Sequence, residues 1–140
     1  MTPLYRAPEV FTGSENYDYN IDIWSLGCIF GEMVSKKYIF YGENEFEILN
    51  NILKYLNFDL NINLLLNFYR FHNLDSDLSV SCLEELLEKS KNTKKCINWR
   101  SKFPQLDEDG IDLISKMLEV DPNKRISPRE ALVHNFLRIQ

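Results

Sequence analysis

Between residues 20 and 36, apolar residues fall on nearly every helical face (Ile21, Ile23, Trp24, Leu26, Cys28, Ile29, Phe30, Met33, Val34). That pattern predicts a buried central helix rather than an amphipathic surface one. Ahead of it, Pro3, Pro8 and the run Thr12-Gly-Ser-Glu-Asn16 predict loop through about Tyr19, with room for a single helical turn. Asn44-Glu-Phe-Glu47 reads as a variant capping box, in which Asn44 accepts from the third helical amide and Glu47 reaches back. The stripe Phe46, Ile48, Leu49, Ile52, Leu53, Leu56 then predicts a second helix.

From residue 57 to residue 100 the chain becomes rich in Asn, Leu and Lys, and only a short helix over 81–91 (Leu83, Leu86, Leu87) is expected there. Asp107 is placed to cap a helix carrying Ile111, Leu113, Ile114, Met117 and Leu118, which Asp121-Pro122 stops. Ser127-Pro-Arg-Glu130 predicts one more start: serine at the N-cap, proline at the first position and glutamate closing a capping box, with the helix running over 128–137. With no convincing strand pattern, the expected fold class is all-α.

Composition narrows the function. At 140 residues, 44% apolar and 13% aromatic, the chain is long enough to bury the core of one domain. A net charge of −5 argues against nucleic acid or an anionic membrane as partners through bulk electrostatics. Cys28, Cys82 and Cys96 form no C-x-x-C pair, and His72 and His134 complete no metal-ligand spacing, so reduced thiols and no metal site are expected. The absence of a basic start with an apolar run, and of any stretch of 18 apolar residues, sets the expectation of an intracellular chain in cytoplasm or nucleus.

Three blocks carry a family signal: Tyr5-Arg-Ala-Pro-Glu9, Asp22-Ile-Trp-Ser-Leu-Gly-Cys-Ile-Phe30, and Leu106-Asp-Glu-Asp-Gly110 running to Asp121-Pro-Asn-Lys-Arg125. In this order and spacing they resemble the eukaryotic Ser/Thr protein kinases of the cyclin-dependent and MAP kinase group, the cyclin-dependent kinases most closely. The resemblance covers residues 1–42 and 103–137. It implies the helical C-lobe of the kinase fold, with residues 1–19 as the end of the activation segment and its substrate loop, and 20–140 as the lobe with a divergent insert at about 57–100. The Gly-rich loop, H-R-D and D-F-G motifs that precede A-P-E in that family do not occur among these residues. N-lobe and catalytic loop are therefore expected to lie outside the chain. ATP and Mg²⁺ are expected to serve the full-length parent, with no cofactor, metal or catalytic residue here.

The resemblance also implies residue roles. Glu9 and Arg125 would form a buried ion pair; the bland alternative is two solvated charges on separate loops. Asp22 would anchor the catalytic loop by accepting its backbone hydrogen bonds. Read without the family, it is a first-turn carboxylate helped by the helix dipole. Thr2 and Arg6 would position substrate, Arg6 shaping a proline-selective pocket beside the phosphoacceptor; otherwise they are a terminal residue and a surface charge. Trp24 and Cys28 read as core residues, His134 suggests no acid–base partner, and Asp107, Glu108 and Asp109 read as capping and dipole charges rather than a metal cluster. Between residues 41 and 102 only Gly42-Glu-Asn-Glu45 is recognisable and the family's G-T-P turn is missing. By resemblance the partners are a protein substrate and a cyclin or small regulatory subunit. The competing expectation is a stand-alone, non-catalytic, kinase-derived module that binds proteins; in-frame H-R-D and D-F-G sequences upstream in the gene would decide against it.

Overall fold

A computed structural model describes residues 3–13, 18–53, 66–67, 70–71 and 98–138. The expected helix over 81–91, most of the 57–100 insert, Leu56 and Thr2 lie outside the described residues. Among the described residues every regular element is helical, as the hydrophobic periodicities predict.

The chain enters through a 3₁₀ turn, Pro3–Tyr5, and the single-turn helix α1, Pro8–Phe11, which starts on Pro8 where the missing amide costs nothing. Gly13, at φ 88°, ends this segment; a Cβ there would lie 2.4 Å from the Phe71 ring, so both its backbone and its neighbour demand glycine. Helix α2, Tyr19–Ser35, begins one residue before the expected start because Asp18 captures the Asn20 amide at 3.0 Å. It ends at Lys36, whose left-handed conformation (φ 61°) turns its N–H back to the Glu32 carbonyl at 2.8 Å.

Helix α3, Glu45–Leu53, starts on Asn44, which accepts the Glu47 amide at 2.9 Å. The return bond differs from the expected box: Glu47 accepts from the amide of Glu43, one residue before the cap, at 2.8 Å. A one-turn helix, α4, Trp99–Lys102, straddles the end of the span assigned to the insert; Asn98 caps it through the Arg100 amide at 3.0 Å. Helix α5, Glu108–Met117, is capped as predicted by Asp107, which accepts the Gly110 amide at 2.8 Å.

Helix α6 has the full Ser127/Glu130 capping box but runs only Pro128–Leu132, not to residue 137. The shortening has a local cause. The ring of His134 accepts the Phe136 amide at 3.1 Å, starting a separate 3₁₀ turn, Asn135–Leu137, where helix was expected.

The core gathers between α2 and its neighbours. Trp24 is fully buried and stacks on Phe40 with centroids 5.4 Å apart; Phe11, Leu49, Ile52, Phe103 and Ile114 close around it. Gly27 lets α2 approach α5 closely, since a Cβ there would press within 3.0 Å of Met117 and Leu118. The reading of α2 as buried on all faces requires correction: Leu26, Ile29 and Met33 are 52%, 43% and 66% exposed.

Candidate functional site

The Asp121-Pro-Asn-Lys-Arg125 sequence folds into a tight turn. The Asp121 carboxylate accepts the Asn123 amide at 2.9 Å, and its carbonyl accepts the Lys124 and Arg125 amides at 3.0 Å. This turn delivers the Arg125 side chain into the interior, where none of it is exposed. A guanidinium has five N–H donors, and all five are used. Nη1 and Nη2 grip Glu9 bidentately at 2.8 and 3.0 Å. The remaining three donate to the carbonyls of Glu119 (2.8 Å), Asn20 (2.6 Å) and Val120 (3.2 Å).

The guanidinium also lies 5.3 Å from the centre of the Trp24 ring. The clamp thus joins the first turn of α1, the start of α2 and the α5–α6 connection at one buried cation. Such a site tolerates loss of a partner badly, because a desolvated charge would remain uncompensated.

A second Arg–Glu pair stands nearby under different conditions. Arg6 Nη1 meets Glu45 Oε1 at 2.9 Å, with side chains 28% and 39% exposed, and its guanidinium sits 5.7 Å from the Phe11 ring centre. The pair fixes Arg6 against the N-terminus of α3. Glu45 was not singled out from the sequence; its place in the recognisable Gly42-Glu-Asn-Glu45 block was the only available signal.

Tyr5 is tied to α2 in two ways. Its hydroxyl donates to Glu32 at 2.5 Å, and its carbonyl accepts from the Ser25 hydroxyl at 2.7 Å. The hydrogen bond to Glu32, reinforced by burial, pushes the Tyr5 phenol up to about 12. Asp22 occupies the first turn of α2, exposed, and accepts no hydrogen bond among the described residues.

Cys28 is 2% exposed, and desolvation pushes its thiol up to about 12, which suits a packing residue and not a nucleophile. His134 has a partner that its sequence neighbourhood does not indicate. Its Nε2 lies 2.7 Å from Asp112 on α5, while Nδ1 accepts the Phe136 amide, an arrangement that puts the proton on Nε2. Lys116 pairs with the same Asp112 oxygen at 2.8 Å; these hydrogen bonds, Lys116 first and His134 second, hold the Asp112 carboxyl below its usual range. Of the three acidic residues at the start of α5, Asp107 is occupied as the cap.

A groove of about 400 Å³ opens between α2, α5 and α6, and every side chain lining it is apolar, with Ile23, Leu26, Ile29, Phe30 and Met33 forming the α2 wall. Thr2 lies outside the described residues, so the structure brings Glu9 to Arg125 and Arg6 to Glu45 but does not place Thr2.

The sequence pattern of the protein kinase domain matches residues 1–137. The chain is 38% identical over 136 residues to cyclin-dependent kinase B2-2 of Arabidopsis thaliana, an alignment that takes in 97% of this chain and 38% of that protein. It therefore spans under two fifths of the length of that relative. The helical architecture, the closure of A-P-E onto D-P-x-x-R and this similarity converge: the chain belongs to the protein kinase family and is cyclin-dependent-kinase-like.

Proposed function

We propose that these residues are the helical C-terminal portion of a cyclin-dependent-like Ser/Thr protein kinase. The parent would transfer the ATP γ-phosphate to protein Ser/Thr. This portion would contribute scaffold and a peptide-positioning edge without phosphoryl-transfer chemistry of its own. The observation that carries the reading is the fully satisfied Arg125, which binds the segment bearing Tyr5, Arg6 and Glu9 to the helical lobe across 116 positions of sequence.

Fixed this way, Arg6 has the rigidity that a pocket wall beside a phosphoacceptor requires, and proline direction of the parent follows from its resemblance role. Asp22 would hold the catalytic loop. A cyclin or small regulatory subunit is the expected partner of the parent, and cytoplasm or nucleus its expected place; no helix among the described residues is long and apolar enough to cross a membrane. ATP and Mg²⁺ would serve the parent through its Gly-rich loop, H-R-D and D-F-G motifs, none of which occurs in this sequence.

Titration calorimetry with ATP–Mg²⁺ on the 140-residue chain, its helicity checked by circular dichroism, tests the proposal. A helical sample with no saturable binding supports it. Saturable binding, or phosphorylation of a Ser-Pro peptide by the chain alone, overturns it.

A further inference from the structure

His134 stands where two separate parts of the lobe meet. Its side chain, 9% exposed, reaches α5 through Asp112 and starts the Asn135–Leu137 turn through the amide of Phe136. That turn sets the position of Phe136. The Phe136 ring lies 5.5 Å from that of Phe30 on α2, and so close to α5 that a Cβ on Gly110 would come within 3.0 Å of it. It packs against both hydrophobic clusters of the described residues, the one around Trp24 and the smaller one of Ile23, Leu113, Met117, Ile126 and Ala131. The bond that starts the turn therefore helps hold residues 134–138 onto the core.

An imidazole has three protonation forms, and the two bonds of His134 admit one of them. With its single proton on Nε2, the ring donates to Asp112 and offers the Nδ1 lone pair to the Phe136 N–H. With that proton on Nδ1 instead, N–H faces N–H on one side and a lone pair faces a carboxylate on the other. With both nitrogens protonated, the Asp112 contact becomes charge-assisted, but Nδ1 has no lone pair left and points a proton at the Phe136 amide. The second proton thus strengthens one bond and removes the other.

The surrounding charges keep that conflict in place. Asp112 and Lys116, both on α5, meet at the carboxylate oxygen that faces the ring, and no other charged side chain among the described residues pairs with His134. The hydrogen bonds from Lys116 and His134 hold the Asp112 carboxyl below its usual range, so it stays an anion across the span of about pH 5 to 8 in which histidines change charge. The form with the turn in place binds one proton fewer than the form without it, so the turn loses stability as pH falls.

We propose that His134 is a pH-sensitive latch: protonation of its ring releases the Asn135–Leu137 turn, and Phe136 with it, while the ring stays on Asp112. The device goes beyond the proposed function and does not depend on it.

Nuclear magnetic resonance of the ¹⁵N-labelled 140-residue chain between pH 8 and pH 5 tests the latch. The ring nitrogens of His134 report its protonation form, and hydrogen exchange at the Phe136 amide, corrected for the intrinsic effect of pH, reports the turn. At pH 8 the proton should sit on Nε2 and the amide should be protected. On acidification both signals should change with one midpoint, protection falling about tenfold for the loss of one hydrogen bond. His134→Asn supplies an acceptor that does not titrate and should keep the amide protected throughout. Asp112→Asn removes the anion that favours the charged ring and should move the midpoint to lower pH. The proposal is overturned if the ring gains its second proton while Phe136 stays protected, or if the ring gains none by pH 5. It is equally overturned if His134→Asn loses protection along the same curve, or if Asp112→Asn leaves the midpoint where it was.

Discussion

Two Arg–Glu pairs with almost the same separation hold the beginning of this chain to the rest, and their surroundings make them unlike. Arg125 is wholly buried, all five donors are taken and Trp24 covers its face; Arg6 donates one hydrogen bond to Glu45 with both side chains partly in water. Coulomb attraction in water is weak and screened, whereas a desolvated charge must be matched or the fold pays for it. The difference teaches that the Glu9–Arg125 distance is not what makes the pair structural. The three backbone carbonyls and the absence of solvent do that.

The largest expected effect breaks the buried member. Arg125→Met should cost about 3–5 kcal/mol, because Glu9 and the carbonyls of Asn20, Glu119 and Val120 all lose their donor; chemical denaturation of the variant beside the parent chain measures it. Glu9→Gln should cost clearly less, since those carbonyls stay satisfied. Next comes the loop that delivers Arg125: Ser127→Ala removes the acceptor of the Glu130 amide and should cost about 1 kcal/mol, read from the same denaturation curves.

The exposed member should respond least. Glu45→Gln is expected to cost only about 0.2–1 kcal/mol, and the loss should shrink as salt is raised, a dependence that Arg125→Met should lack. The comparison is sharpened at alkaline pH. A phenol whose folded value is raised from 10.0 to about 12 contributes stability that is present below pH 10 and disappears as pH climbs toward 12. Cys28, raised from 9.0, acts in the same direction. Thermal melts across this range should therefore fall more steeply for the parent chain than for Tyr5→Phe, while the cost of Arg125→Met stays nearly constant.

What was legible in the sequence was local. Asn44, Asp107 and Ser127 announce their helices because a cap and the amide it satisfies are three residues apart, within reach of a short motif. The Glu9–Arg125 pair was legible only through the family motifs, since 116 residues separate its members. Where partners are distant and no motif names them, the sequence was silent. Asp112 meets His134 over 22 residues, and Glu32 meets Tyr5 over 27.

Two local expectations failed for physical reasons. Ala131 to Leu137 has the composition of a helix, but the imidazole of His134 competes for a backbone amide and ends it. The all-round apolar character of α2 was read as burial, but apolarity records what a helix is suited to contact, and the Leu26–Ile29–Met33 stripe has no contact among the described residues that covers it. The helical turn at Trp99–Lys102 was hidden because it is a single turn: Trp99 and Phe103, stacked 6.1 Å apart, are one i,i+4 pair, too short a run to establish a helical period.

The most direct test of the account is a pair of double-mutant cycles run in the same buffer, Glu9→Gln with Arg125→Met and Glu45→Gln with Arg6→Met, each read by denaturation. The account predicts a coupling of several kcal/mol or its near equivalent in lost cooperativity for the buried pair, and at most about 1 kcal/mol for the exposed pair. Equal couplings would contradict it, because the segment bearing Tyr5, Arg6 and Glu9 would then not be held to the helical lobe by the buried cation.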